Sequence, residues 1–235
     1  MISLPDFHTI EEAFVYCRDM DASLSERLDT FAAAARALRP ELQEAVNRMV
    51  ARLKANNAGG TAPVPGDPMP HFALPDEAGR LVVLEDLLAI GPVAITFHRG
   101  HWCPYCRINT RALAEVQEKV GAIGAQLIAI MPERQQFAAA FKSDAKLWYP
   151  VLTDIDNGYA LSLNLAIWVG DELQRLIAAS GRDLLHYQGN GTWVLPIPAT
   201  FVVGTDGEVK ARFVDPDYRR RMTVEDLLSA LRNAH

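Results

Sequence analysis

The stretch HRGHWCPYC, residues 98–106, gathers two cysteines, two histidines and an arginine, residue types that move protons, electrons or metal ions. Cys103 and Cys106 are two of three cysteines in a chain of 235 residues. Four chemistries use such a pair: metal binding, a structural disulfide, thiol–disulfide exchange and peroxide reduction. A closed zinc site takes about four ligands. No second CxxC is present, and His98 and His101 lie too close together in sequence to complete an obvious tetrahedron, so no metal is expected. A chain of this length needs no disulfide staple, and three cysteines cannot build a framework.

Redox chemistry has a specific local basis here. The apolar run VAITFHR (93–99) reads as a buried strand that delivers the CxxC to the start of a helix. A helix N-terminus presents unpaired N–H groups and partial positive charge, which favour a thiolate. Pro104 suits the first helical turn because it has no N–H to lose. Two intervening residues bring the sulfurs close enough to form and break a bond. Trp102 can shield the pair, and Arg99, leaving the same strand end, can support a thiolate or a peroxide oxygen. His98 and His101 are candidates for proton transfer near neutral pH. Arg107 and Arg111 read as charges on the helix surface, and Cys17 as a small buried hydrophobe on an apolar stripe.

Other elements must position these groups. Residues 1–60 read as a helical extension: Thr9 with Glu12, and Ser23 with Glu26, have capping-box spacing, and Pro40 suits the start of a third helix. The Pro-rich segment 61–80 marks a boundary and an extended lead-in. Strand and helix patterns then alternate through QLIAIMP (126–132), ERQQFAAAFKSD, YPVLTD (149–154) and NGYALSLN. Residues 170–191 read as an insertion with one helix and a flexible end. Thr205-Asp206-Gly207-Glu208 predicts a hairpin turn between two β-rich runs, and Thr223 a cap for the last helix. This order implies an α/β layer with a mixed sheet, in a domain spanning 61–235.

In LPIPATFVV (195–203), Pro198 stands directly before a strand, and here the sequence resembles the thioredoxin-like superfamily. Within it, the segment GDPMPHFALPDEAGRLVVLEDLLAIGPVAITFHRGHWCPYC, then LIAIMP, YPVLTDIDNGYALSLNL and PATFVVGTDGEVKARFVDPDYRRR, are similar to the AhpC/TSA (peroxiredoxin-like, redoxin) family. The resemblance implies a thioredoxin-like fold: a mixed central sheet flanked by helices, with the helical extension added. It implies a cis Pro198 packed against the cysteines, and an Ile197 backbone facing the sulfurs, free to pair with an incoming chain. It also implies an antioxidant oxidoreductase whose dithiol reduces disulfides or hydroperoxides and is regenerated by a thioredoxin- or glutathione-like thiol.

The family motif P-x-x-x-T-x-x-C is not reproduced. Aligning its cysteine with Cys106 puts Cys103 at the threonine and Arg99 at the proline; aligning it with Cys103 puts Gly100 and Thr96 there. Thioredoxin-like logic makes Cys103 the attacking thiol and Cys106 the resolving one, and the peroxiredoxin alignment reverses them. We take Cys103, Cys106, Arg99 and Pro198 as the expected catalytic set, with Trp102, Ile197 and His101 against the substrate. Asp215, Asp217, Tyr218 and Arg221 could form part of a pocket or an interface, and read by default as a solvated loop. A thiol peroxidase proper, and a non-catalytic redox-sensing or binding module, are the alternatives.

No phosphate loop, flavin motif or nicotinamide fingerprint is present, so no cofactor is expected. The net charge of −6 gives no general attraction to nucleic acid or anionic lipid. The first residues lack a basic region followed by an apolar run, and no run of about twenty apolar residues occurs. A cytoplasmic protein is the expectation. The amphipathic N-terminal helices could pair in a homodimer or pack on their own domain.

Overall fold

The computed structural model describes residues 5–235; residues 1–4 of the expected helical extension lie outside the described residues. Thr9 and Ser23 each accept an N–H from the glutamate three residues on, whose carboxylate accepts back from the cap backbone. These reciprocal bonds start α1 (Ile10–Asp19) and α2 (Leu24–Leu38). Pro40 opens α3 (Pro40–Ala55).

The lead-in holds a hairpin that its composition hides: β1 (Ala73–Pro75) and β2 (Leu81–Val83), antiparallel, then α4 (Leu84–Leu88). The buried Asp76 carboxylate organises the turn by accepting the backbone N–H groups of Ala78 and Arg80, both at 2.9 Å.

β3 (Val93–Phe97) is followed by α5 (Pro104–Ala114), α6 (Gln117–Ala122), β4 (Gln126–Met131), α7 (Gln135–Ala145), β5 (Val151–Thr153) and α8 (Gly158–Ser162). β6 (Ala166–Trp168) pairs antiparallel with β7 (Val194–Pro196). Between them the expected single-helix insertion contains two helices, α9 (Asp171–Ala179) and α10 (Leu184–Gln188). β8 (Ala199–Val203) and β9 (Val209–Val214) form the hairpin through Asp206-Gly207, Gly207 taking φ +81°. Thr223 caps α11 (Val224–Arg232), its hydroxyl accepting the Asp226 N–H at 3.0 Å.

The main sheet has the order β5-β4-β3-β8-β9. β3 runs parallel to β4, and β4 to β5, whereas β8 is antiparallel to both β3 and β9. Every residue of β3 is buried, as a central strand covered on both faces requires. One face carries Ile95, Ile128, Ile130 and Phe201 against the lead-in and α8. The other carries Ala94, Ala129, Met131 and Val202, and its core continues without a break into Phe14, Leu28, Phe31 and Val46 of the N-terminal helices. Those helices pack on their own α/β layer, directly against α5. Among the described residues no helix is long and apolar enough to cross a membrane.

Candidate active site

β3 ends inside the core, and the chain turns through residues 98–102 before α5 begins. Gly100 takes φ +140°, and a Cβ there would stand 2.5 Å from the Glu133 carboxylate, so the turn requires glycine. Glu133 lies just past the end of β4. Its Oε2 accepts the His101 backbone N–H at 2.7 Å, and the Trp102 N–H also donates to the carboxylate. Burial pushes this carboxyl up to about 8 despite those donors, which leaves Oε1 buried without a partner.

The turn sets Cys103 at the cap of α5 and Cys106 on its first turn. Both are free thiols, 1% and 0% exposed. Cys103 nevertheless lines a small solvent-open pocket of about 70 Å³, and Cys106 does not. Burial alone would raise the Cys103 thiol. The Cys106 S–H donating to it, and the Arg99 guanidinium beside it, outweigh burial and hold it down at about 5. Cys106 is pushed up by burial and by donating that same hydrogen bond. The shared hydrogen bond and the Arg99 charge thus favour the thiolate on Cys103 over one on Cys106.

Arg99 is buried, its guanidinium carbon 3.8 Å from the Tyr218 ring centroid and 4.9 Å from that of Trp102. Burial opposes its charge, and the neighbouring sulfurs and Tyr218 more than restore it. Its backbone N–H donates to Cys106 Sγ at 3.3 Å, and Arg221 Nη2 donates to the same sulfur at 3.6 Å. Arg221 and Tyr218 are 7% and 9% exposed, so the DPDYRRR segment is not a solvated loop: it closes the site from beyond β9. An arginine in a charge run carries no local sign of burial, which is why the default reading left Arg221 in a solvated loop. Glu133 was missed; its place just past a parallel strand, beside the turn that carries the cysteines, is the signal that could have found it.

The remaining expected residues are distributed differently. Pro198 lies near Arg99 and Tyr218 across a small cavity, and its peptide bond is trans, since the described residues contain no cis peptide. β7 and β8 flank it directly, so an extended trans bond serves the strand start. Ile197 is 1% exposed and donates its N–H to the Leu165 carbonyl at 2.7 Å, so it offers no open edge to an incoming chain. His101 Nε2 meets Asp144 at 2.8 Å, which Arg107 also contacts, away from the residues lining the Cys103 pocket. His98 is fully buried against Thr96, and burial together with Arg221 pushes it down to about 3, so it stays neutral and moves no proton. Trp102 is half-buried at the pocket wall. Among the described residues, no three His, Cys, Asp or Glu side chains gather to hold a metal.

The AhpC/TSA family model matches residues 65–212, more than half of the chain. The 1-Cys peroxiredoxin PER1 of Hordeum vulgare is 24% identical over 181 residues, which span 72% of this chain and 74% of the relative. Its namesake in Triticum aestivum is 25% identical over the same shares. Among solved structures, peroxidoxin BcpB from Mycobacterium tuberculosis superposes with a TM-score of 0.57 at 21% identity, covering 74% of this chain and 99% of that one. A peroxiredoxin 6 variant from Arenicola marina gives 0.58 at 16% identity, with 72% and 71% covered. The chain therefore belongs to the AhpC/TSA family, an oxidoreductase on the thioredoxin-like fold.

Proposed function

We propose that the chain is a thiol peroxidase in which Cys103 attacks a hydroperoxide and Cys106 resolves the product. The observation that carries this reading is the placement of Cys103, a sulfur with a depressed pKa at the wall of a narrow pocket, beside a buried guanidinium. Cys103 thiolate attacks the distal oxygen of R–O–O–H, the O–O bond breaks, and the sulfur gives up two electrons to become a sulfenic acid. The alkoxide leaves and takes a proton from water. Arg99 is positioned to offset the charge that develops on the peroxide oxygens.

Cys106 then attacks the sulfenic sulfur, forming the Cys103–Cys106 disulfide and releasing water. The matched relatives are named as one-cysteine enzymes, whereas here a second thiol already hydrogen-bonds the first. Two thiols of a thioredoxin- or glutathione-like reductant return the pair to the dithiol. When the reductant attacks Cys103, Cys106 leaves as a thiolate, and the N–H of Arg99 and the guanidinium of Arg221 are placed to receive that charge.

Exchange with a protein disulfide is less well supported. Such a partner would need an exposed sulfur and an open edge at Ile197, and neither is available. Stopped-flow mixing of reduced protein with a small excess of hydrogen peroxide or cumene hydroperoxide tests the proposal. Disulfide formation should run at least about a hundredfold faster than oxidation of a free thiol, since a thiolate at neutral pH and an aligned guanidinium both contribute. A rate no greater than a free thiol's would overturn it. Insulin reduction without peroxidase activity would favour the exchange enzyme, and inactivity in both a redox sensor or binding module.

A further inference from the structure

Between His98 and the first turn of α5, the backbone that carries the cysteines is tied to the sheet by one side chain. The N–H groups of Arg99 and Cys103 donate within the segment itself, to Cys106 Sγ at 3.3 Å and to the Gly100 carbonyl at 3.2 Å. Those of His101 and Trp102 have no backbone acceptor among the described residues. Both donate to the Glu133 carboxyl, the first at 2.7 Å. The pairing of β3 with β4 brings this about. Phe97 stands opposite Ile130, and the His98 N–H reaches the Ile130 carbonyl at 2.9 Å, so the residues just past the two strand ends face each other.

Glu133 is fully buried, and the basic side chains of its neighbours turn elsewhere. Arg134 donates to the His186 carbonyl, the His101 ring meets Asp144 at 2.8 Å, and the Arg99 guanidinium lies over Tyr218. His98 stays neutral. The charge that acts on Glu133 is that of the Cys103 thiolate, which works with burial to keep the carboxyl largely in its acid form at neutral pH. An ionised carboxylate here would oppose the thiolate, and an apolar side chain would leave two N–H groups unpaired. A neutral carboxyl avoids both, because its carbonyl oxygen has lone pairs for two donors and carries no charge.

We propose that Glu133 is a positioning residue for Cys103, its carboxyl clamping the turn to the sheet so that the sulfur is presented to Arg99. It touches no reacting atom and acts through Cys103. The proposal rests on the reading of Cys103 as the attacking sulfur, and it adds a group that neither the CxxC nor the family motif contains. When the clamp is lost, the sulfur loses its register with the guanidinium, and both its ionisation and its attack suffer.

The test compares Glu133→Ala and Glu133→Gln with the wild type, using the full chain. A carboxamide oxygen accepts the same two N–H groups, and a methyl group accepts none. In Glu133→Ala the pH midpoint of Cys103 alkylation by iodoacetamide should move up from about 5. Oxidation by hydrogen peroxide at neutral pH should slow about tenfold, as loss of alignment implies. Glu133→Gln should recover most of both losses. A carboxyl with a merely structural role would lower the stability of the Ala variant and leave the alkylation midpoint of the folded protein in place. That result, or a Gln variant as impaired as Ala, would overturn the proposal. If Glu133→Ala does not fold, Glu133→Asp replaces it: its carboxyl stops one methylene short of the turn, and an unmoved midpoint there is equally fatal. Alkylation needs no peroxide, so the result decides the role of Glu133 even where the wild type oxidises no faster than a free thiol, an outcome that sinks the peroxidase reading alone.

Discussion

A buried cysteine ordinarily resists ionisation, because a thiolate loses its hydration there and a neutral thiol loses little. At Cys103 that penalty is met by a donated S–H and by Arg99, itself held against Tyr218 and Trp102. Alkylation of Cys103 by iodoacetamide should therefore rise through about pH 5 and be flat by neutral pH. Arg99→Gln should move the midpoint up by about 1–3 units, as loss of an adjacent opposite charge does. An unmoved profile would show that Arg99 is not what holds the thiolate. Glu133 behaves in the opposite sense. Its carboxyl is raised from 4.5 to about 8 in the folded chain, so its contribution to stability is fully present below about 4.5 and is lost as pH rises through about 8. Urea denaturation should show Glu133→Gln gaining on the wild type, by about 4 kcal/mol, between about pH 5 and pH 9. A constant difference across that range would mean Glu133 is ionised when folded.

The elements around the cysteines are held by contacts between distant segments. Arg27 on α2 makes a two-pronged pair with Glu115 after α5, at 3.1 and 2.9 Å. It also donates to the carbonyls of Ala22 and Arg18, so one buried side chain ties the end of α1, the turn before α2 and the end of α5 together. Glu115 is about one-third exposed and screened by water, so most of the loss in Arg27→Ala comes from the carbonyls left without donors. We expect a cost of about 1–3 kcal/mol by chemical denaturation. A cost near zero would show that α2 is held by apolar packing alone. Capping boxes and the Asp206-Gly207 turn are legible in sequence because each is complete within four residues. The β1–β2 hairpin was not, since three-residue strands are too short to display alternation and Asp76 acts through burial. α10 was missed for the same reason of length.

At the scale of the molecule, the apolar core passes from the sheet into the N-terminal helices without interruption, joined at contacts such as Phe31 against Tyr105, 4.9 Å between ring centroids. The extension and the α/β layer should then unfold together. Tryptophan fluorescence reports on residues 102, 148, 168 and 193, all in the α/β part, whereas far-ultraviolet dichroism also reports on α1–α3. The two transitions should coincide. Earlier loss of dichroism would show that the extension is a separate unit.

The sequence by itself determined that two sulfurs stand at the start of a helix fed by a buried strand, within an α/β layer, because strand, turn and helix signals act over a few neighbouring residues. Only the tertiary structure decided that Cys103 faces a pocket and Cys106 does not, that Pro198 is trans, and that Arg221 meets Cys106 across 115 positions of chain. A sulfur's ionisation and access depend on what surrounds it in space, and here those surroundings come from α2, α3, α9 and the segment after β9. No spacing within HRGHWCPYC could have specified them.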